Sequence, residues 1–142
     1  MPTLTPDAAL KEIEAGDLAP IYLVLGDDDQ EKSDIASAFE RVIDEGLRAF
    51  NVDRLDGGEV ALARVLETVQ MLPMMVPRRV VIVRRFELCL APKRQSRAAD
   101  IDKDAFEKYL GSPYPHASLV LLVSGLDTRR TIVKNLLRVA TV

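Results

Sequence analysis

Histidine and cysteine are nearly missing from this chain: its 142 residues hold one of each, His116 and Cys89. A zinc site or a histidine-based triad needs several such side chains converging, so both chemistries have almost nothing to work with. A lone cysteine cannot close an internal disulfide and fits a reducing cytoplasm. Cys89 therefore reads as a small apolar residue rather than a nucleophile. No apolar run approaches the roughly 18 residues that cross a bilayer, so no membrane partner is expected. The opening MPTLTPDAAL has neither the basic n-region nor the apolar core of a secretion signal, and the expected location is cytoplasmic. There is no internal repeat and no low-complexity segment.

What is present fits one α/β domain over residues 1–142, with a core large enough to fold without staples. The net charge is only −3, but it is unevenly placed. Residues 1–60 carry 15 acidic and 5 basic side chains, whereas residues 61–142 carry 7 acidic and 14 basic. Seven of those basic residues fall between Arg78 and Arg97, with Glu87 the single acid among them. Such polarity suits either an oriented surface for assembly or nucleic acid, or a merely solvated basic face.

Thr5-Pro6-Asp7 looks like a helix start, with a cap, a proline at the first helical position and an acid in the first turn. Leu10 and Ile13 share a face of this short helix, and Gly16 closes it. Residues 21–25, IYLVL, form a buried-type strand that stops at Gly26. A helix is expected from about Glu31 to Arg48, with Ile35, Phe39, Val42, Ile43 and Leu47 at three- and four-residue spacing. A strand over residues 51–55 and a turn at Asp56-Gly57-Gly58 follow. The helical period resumes at Glu59 through Leu62, Val65, Leu66, Val69 and Leu72. Residues 80–83 and 117–123 are further strands of buried type. Between them lie a polar, basic loop over residues 90–100 and a short helix over 102–110. A last helix is expected over 127–139. Strands alternating with helices point to a parallel sheet covered on both faces, with ligands at the carboxyl ends of its strands.

The odd stretch is residues 70–83, QMLPMMVPRRVVIV. Pro73 and Pro77 rule out a continuous helix or central strand between them. Met71, Leu72, Met74, Met75 and Val76 thus place large apolar side chains on a connection, and connections run over the surface. Either they tuck back as a buried elbow or they form an apolar knuckle that enters a partner's pocket, a job that methionine suits.

A second stretch bears on phosphate chemistry. Residues 26–33, GDDDQEKS, follow a strand and precede a helix, the context of a Walker A loop. Gly26, Lys32 and Ser33 match that pattern, while Glu31 replaces its second glycine. The chemistry opposes a working site. Three aspartates and a glutamate face one lysine, and each like-charge pair with a polyphosphate costs about 1 kcal/mol or more at contact. Nor is there a carboxylate after residues 80–83 to hold Mg²⁺; Arg84-Arg85 stand there instead. The aspartates read as caps for the following helix. Nothing supplies the rest of a metal's coordination set. No catalytic residue, cofactor or metal is therefore expected, and the phosphate loop Gly26, Glu31, Lys32, Ser33 is degenerate.

Four segments, in order, resemble the N-terminal domain of the delta subunit of bacterial DNA polymerase III, the clamp-loader wrench. They are Ala19-Pro20-Ile21-Tyr22-Leu23-Val24-Leu25-Gly26-Asp27-Asp28; Phe50-Asn51-Val52-Asp53-Arg54-Leu55-Asp56-Gly57; Leu72-Pro73-Met74-Met75 leading into Arg78-Arg79-Val80-Val81-Ile82-Val83; and Ala117-Ser118-Leu119-Val120-Leu121-Leu122-Val123 leading to Leu126-Asp127. The resemblance covers nearly the whole chain. It implies a P-loop NTPase (AAA+)-like core with a lost ATP site, and a non-catalytic subunit of the DNA-directed DNA polymerase III holoenzyme. It also implies a partner: the ring-shaped beta sliding clamp, which such a subunit helps to open for loading onto primed DNA.

By position, the resemblance puts the clamp-entering pair at Met74 and Met75, flanked by Leu72 and Val76, where the family more often has a Leu-Phe type of pair. Met71 and Leu72 are expected to anchor the helix end. The family's chains continue into lid and collar domains, so this chain looks like a fragment, expected to be monomeric. Other clamp-loader subunits are partners of the full-length protein, DNA is contacted indirectly or weakly, and the setting is the bacterial replisome. Two other readings stand beside this one: an active P-loop ATPase or kinase domain that tolerates Glu31, and a nucleic-acid-binding domain using Arg78–Arg97, whose affinity would fall steeply with salt.

Overall fold

The structure, a computed structural model, describes residues 6–15, 18–26, 28–89 and 97–124. Helix α1 (Pro6–Glu14) leads to strand β1 (Ile21–Leu25) and helix α2 (Asp29–Arg41). A single 3-10 turn (Glu45–Leu47) and a one-turn helix α3 (Arg48–Asn51) then deliver strand β2 (Val52–Asp56). Helix α4 (Leu62–Gln70), strand β3 (Arg79–Arg84), a 3-10 turn (Phe86–Leu88), helix α5 (Arg97–Gly111) and strand β4 (Ala117–Val123) complete the order. The expected cap at Thr5, the stop at Gly16, Asp27, loop residues 90–96 and the last helix at 127–139 lie outside the described residues.

The strands are ordered β1-β4-β3-β2, and every pairing is parallel. Side chains alternate between two faces along each strand. Val81 and Val83 of β3, with Leu119 and Leu121 of β4, pack under α4 and α5 against Leu62, Val65, Val69 and Phe106. Val80, Ile82, Val120 and Leu122 turn the other way, onto Ile13 of α1 and Ile35, Ala38 and Phe39 of α2. Residues 117–123 are buried throughout, which is why these strands read as unbroken apolar runs. Burying each such side chain is worth about 1.5–3 kcal/mol, so the sheet's two central strands dominate the core. The parallel α/β sheet flanked by helices is as expected.

Helix limits differ from the sequence reading in three places. The helix expected to run to Arg48 ends at Arg41. Arg48 itself causes the stop, because its Nε donates to the carbonyls of Glu40 (3.1 Å) and Ile43 (2.8 Å), satisfying the end from outside. The helix expected from Glu59 to Leu72 spans only Leu62–Gln70, and Met71 is already extended (φ −63°, ψ 133°). Pro73 has no N–H to offer the Val69 carbonyl. His116 Nε2, 3.1 Å away, makes that bond instead, which fixes the ring proton on Nε2. Helix α5 starts early, at Arg97, so residues 97–100 are helical rather than loop. Asn51, read as the start of a strand, ends α3 and β2 begins at Val52.

Candidate partner-binding site

Two places qualify as sites: the carboxyl ends of the strands and the connection between α4 and β3. At the carboxyl ends, Gly26 closes β1 and Asp28 caps α2. Asp28 Oδ1 accepts from the N–H groups of Gln30 (3.0 Å) and Glu31 (3.1 Å). Those are the donors that a bound phosphate would need, and a carboxylate already occupies them. Lys32 Nζ lies 3.4 Å from Asp29 Oδ1 and donates to Ser124 Oγ at 3.0 Å. Its charge is thus held between the start of α2 and the end of β4.

Beside this loop, α2 and the ends of β2, β3 and β4 enclose about 470 Å³, lined by Lys32, Ser33, Glu40, Arg54, Arg84 and Ser124 among others. Arg54 pairs with Glu40 across it, and Glu87 adds a further carboxylate to the wall. Arg85, next along, grips Asp56 in a two-pronged pair, Nε to Oδ1 at 2.9 Å and Nη2 to Oδ2 at 2.7 Å. That guanidinium, helped by the Gly58 N–H, holds the Asp56 carboxyl below the usual carboxylate range. No group of three or more metal-ligating side chains occurs among the described residues. Cys89, half-buried behind this turn, has its thiol pushed up to about 11 by burial first and by Asp56 and Glu87 second. It stays a thiol at neutral pH and is a poor nucleophile.

The connection between α4 and β3 is built differently. Leu72 is 72% exposed, Met74 55% and Met75 88%, with Met71 also exposed. The expectation that Met71 and Leu72 would anchor the helix end is therefore corrected. Once Pro73 forces the chain out of the helix, both side chains leave the apolar stripe that Val65, Leu66 and Val69 keep buried. Val76 alone turns inward, packing partly against the α1–α2 face of the core.

This knuckle is exposed but not loose. Met75 has φ 64°, a left-handed conformation that costs a non-glycine residue about 1–2 kcal/mol. Beneath it, Asn51 is fully buried. Its Oδ1 accepts from the Met74 N–H at 2.6 Å, and its Nδ2 donates to the Met74 carbonyl at 2.8 Å and to the Leu47 carbonyl at 2.9 Å. Arg79, also buried, pairs through Nε with Asp53 Oδ2 at 2.7 Å and donates from Nη1 to the Phe50 carbonyl at 3.0 Å. Phe50, adjacent to Asn51, is itself exposed.

Sequence reasoning located the methionines but assigned no role to Asn51 or Arg79. Both lie in the segments that carry the family resemblance, but nothing local in the sequence marks either as buried. The structure also thins the basic stretch. Arg79 is buried, Arg85 is paired, and Arg78 Nη1 is spent on Ser118 Oγ at 3.1 Å. Fewer cations are left for a polyanion than the sequence count suggested.

Comparison with known proteins agrees with the fold. No curated protein matches the chain in sequence. Among solved structures, the Bacillus subtilis DNA clamp loader delta protein (YqeN) superimposes with a TM-score of 0.80 at 24% identity, over 96% of this chain and 41% of that one. A Thermotoga maritima DNA polymerase III gamma subunit-related protein does so with a TM-score of 0.60 at 18% identity, over 95% of this chain and 43% of that one. The chain thus spans less than half the length of either, and the likeness shows the shared fold. The sequence model of the family described as DNA polymerase III, delta subunit, matches residues 22–142, and on that match the chain belongs to the DNA polymerase III delta subunit family.

Proposed function

We propose that residues 1–142 form a single, non-catalytic clamp-loader domain that binds the beta sliding clamp through the knuckle and favours the opened ring. Met74 and Met75 are the entering side chains, Leu72 widens the apolar contact, and Val76 ties the segment to the core. The observation that carries this reading is the pairing of exposure with order at one place: large apolar side chains point outward from a backbone that Asn51 holds from below through both polar groups of Met74. Monomeric proteins seldom leave such a patch uncovered without a partner to cover it.

The mechanism is differential binding. A wrench shifts the clamp between closed and open only by as much as it binds the open form more tightly. Methionines supply adaptable apolar area with less rigidity than an aromatic anchor. Nothing in this role requires nucleotide on this domain, which agrees with Asp28 occupying the phosphate donors. Contacts with other loader subunits fall to the remainder of a full-length delta protein, and DNA is approached through the assembly, in the replisome.

Titration against the sliding clamp of the same organism tests this. Met74→Ala with Met75→Ala should weaken binding by about 2 kcal/mol or more, roughly 30-fold. Denaturation midpoints should barely move, because both side chains are already in water. A large loss of stability with unchanged clamp affinity would sink the proposal.

A further inference from the structure

We infer that Asn51 is a positioning residue for the partner-binding knuckle: it acts on the partner through the Met74 backbone, holding the methionine tip in its binding shape before the partner arrives. This rests on the reading of the knuckle as the clamp-binding site. Three observations converge on it. The Asn51 carboxamide brackets one residue, accepting from the Met74 N–H and donating to the Met74 carbonyl, so both polar groups of that residue are held by a single side chain. Its third bond, to the Leu47 carbonyl, ties the carboxamide to the turn before α3, and burial leaves it no alternative rotamer in water. The next residue, Met75, sits in the left-handed region, a conformation that an unrestrained methionine leaves readily.

A tip bracketed in this way enters a pocket without ordering its backbone first. Preorganisation of that kind raises affinity without adding a contact. Asparagine is the residue type the arrangement needs. It offers an acceptor and two donors on one planar group; aspartate of the same size lacks the donors, and leucine lacks everything.

The experiment is a thermodynamic cycle with the sliding clamp as the titrated partner, together with amide exchange of the free protein. Asn51→Ala should weaken clamp binding about 10-fold in the otherwise native protein. It should do so less than 2-fold in the background of Met74→Ala with Met75→Ala, because there is then no tip to position. Exchange at the Met74 amide should rise at least 10-fold while amides of β3 keep their protection, a readout that general destabilisation would not give. Asn51→Asp should behave like Asn51→Ala.

Two results would overturn the inference. One is an equal loss of affinity in both backgrounds, which would mark Asn51 as a general structural residue. The other is native affinity for Asn51→Ala despite a freed Met74 amide. In both cases the methionine variant would still bind weakly, and the clamp-binding reading would stand. If the methionine variant binds as well as the native protein, the reading of the knuckle itself fails and the inference falls with it.

Discussion

At the carboxyl end of the sheet, Lys32 meets Asp29 and Ser124, Arg54 meets Glu40, and Arg85 grips Asp56. At the opposite end of β3, the knuckle leaves Leu72, Met74 and Met75 largely in water, while Asn51, which bonds the Met74 backbone, is buried underneath. Parallel α/β sheets ordinarily bind ligands at the first end and close off the second. Here several charges at the usual ligand end are directed at one another, and most of the exposed large apolar side chains among the described residues lie on the connection that feeds β3. Polar groups that point at each other build a fold; apolar groups held outward by polar ones build a contact. Substitutions at the two ends should therefore separate cleanly into effects on stability and effects on binding.

The largest effect expected on the stability side is at Gly57. A Cβ there would lie 2.1 Å from the Arg85 carbonyl oxygen, 2.9 Å from its carbon and 3.2 Å from Cys89 Sγ. Backbone cannot swing aside as a side chain can, and Gly57 N–H already bonds the Arg84 carbonyl at 2.7 Å. Gly57→Ala should cost about 3 kcal/mol or more in urea denaturation, at the upper end for overpacking. The fraction still folded should bind the sliding clamp with native affinity. That is the mirror image of the methionine variant, which should lose binding and keep stability. If Gly57→Ala instead lost clamp affinity without losing stability, the contrast between the two ends would break.

How much of this could be read beforehand follows from how local each cause is. The strands were legible because β1, β3 and β4 are buried on both faces, and unbroken β-branched and leucine runs have few other fates. The knuckle was legible as an apolar run cut by two prolines. Helix ends were not, since Arg48 stops α2 by reaching back to Glu40, and His116 completes α4 from 47 residues away. The support of the knuckle was hidden for the same reason. Asn51 meets Met74 across 23 residues, and nothing in either neighbourhood announces the other. Leu72 was read both as a helix anchor and as a flank of the contact, because its spacing continues the helical stripe although the helix has already ended at Gln70, ahead of Pro73.

A smaller effect, and a sharper test of the ligand end, is the response to Mg·ATP. Calorimetric titration should give no saturable binding tighter than about 1 mM, which corresponds to about 4 kcal/mol. Asp28 would have to give up two N–H donors, and Lys32 its two partners, before a triphosphate could be cradled. Micromolar affinity would restore the carboxyl end as a ligand site and remove the comparison's first half.

The smallest expected effect concerns acid. Asp56 has its carboxyl held below the usual range, chiefly by the Arg85 hydrogen bonds. A depressed folded-state value means the pair contributes stability at pH above the unfolded carboxyl's value of about 3.9. That contribution is lost as pH falls through the lower folded value. Arg85 is more than half exposed, so solvent screens the pair and the change is modest. Urea midpoints of the native protein and Asp56→Asn should therefore differ slightly at pH 7 and converge below about pH 4. Clamp binding by the two proteins should stay equal across that range wherever both are folded. A gap that persisted unchanged into acid would mean that the difference between the two proteins does not come from the Arg85–Asp56 charge pair. A gap in clamp affinity would mean that the carboxyl end communicates with the knuckle through β3, and the two ends would no longer be separable.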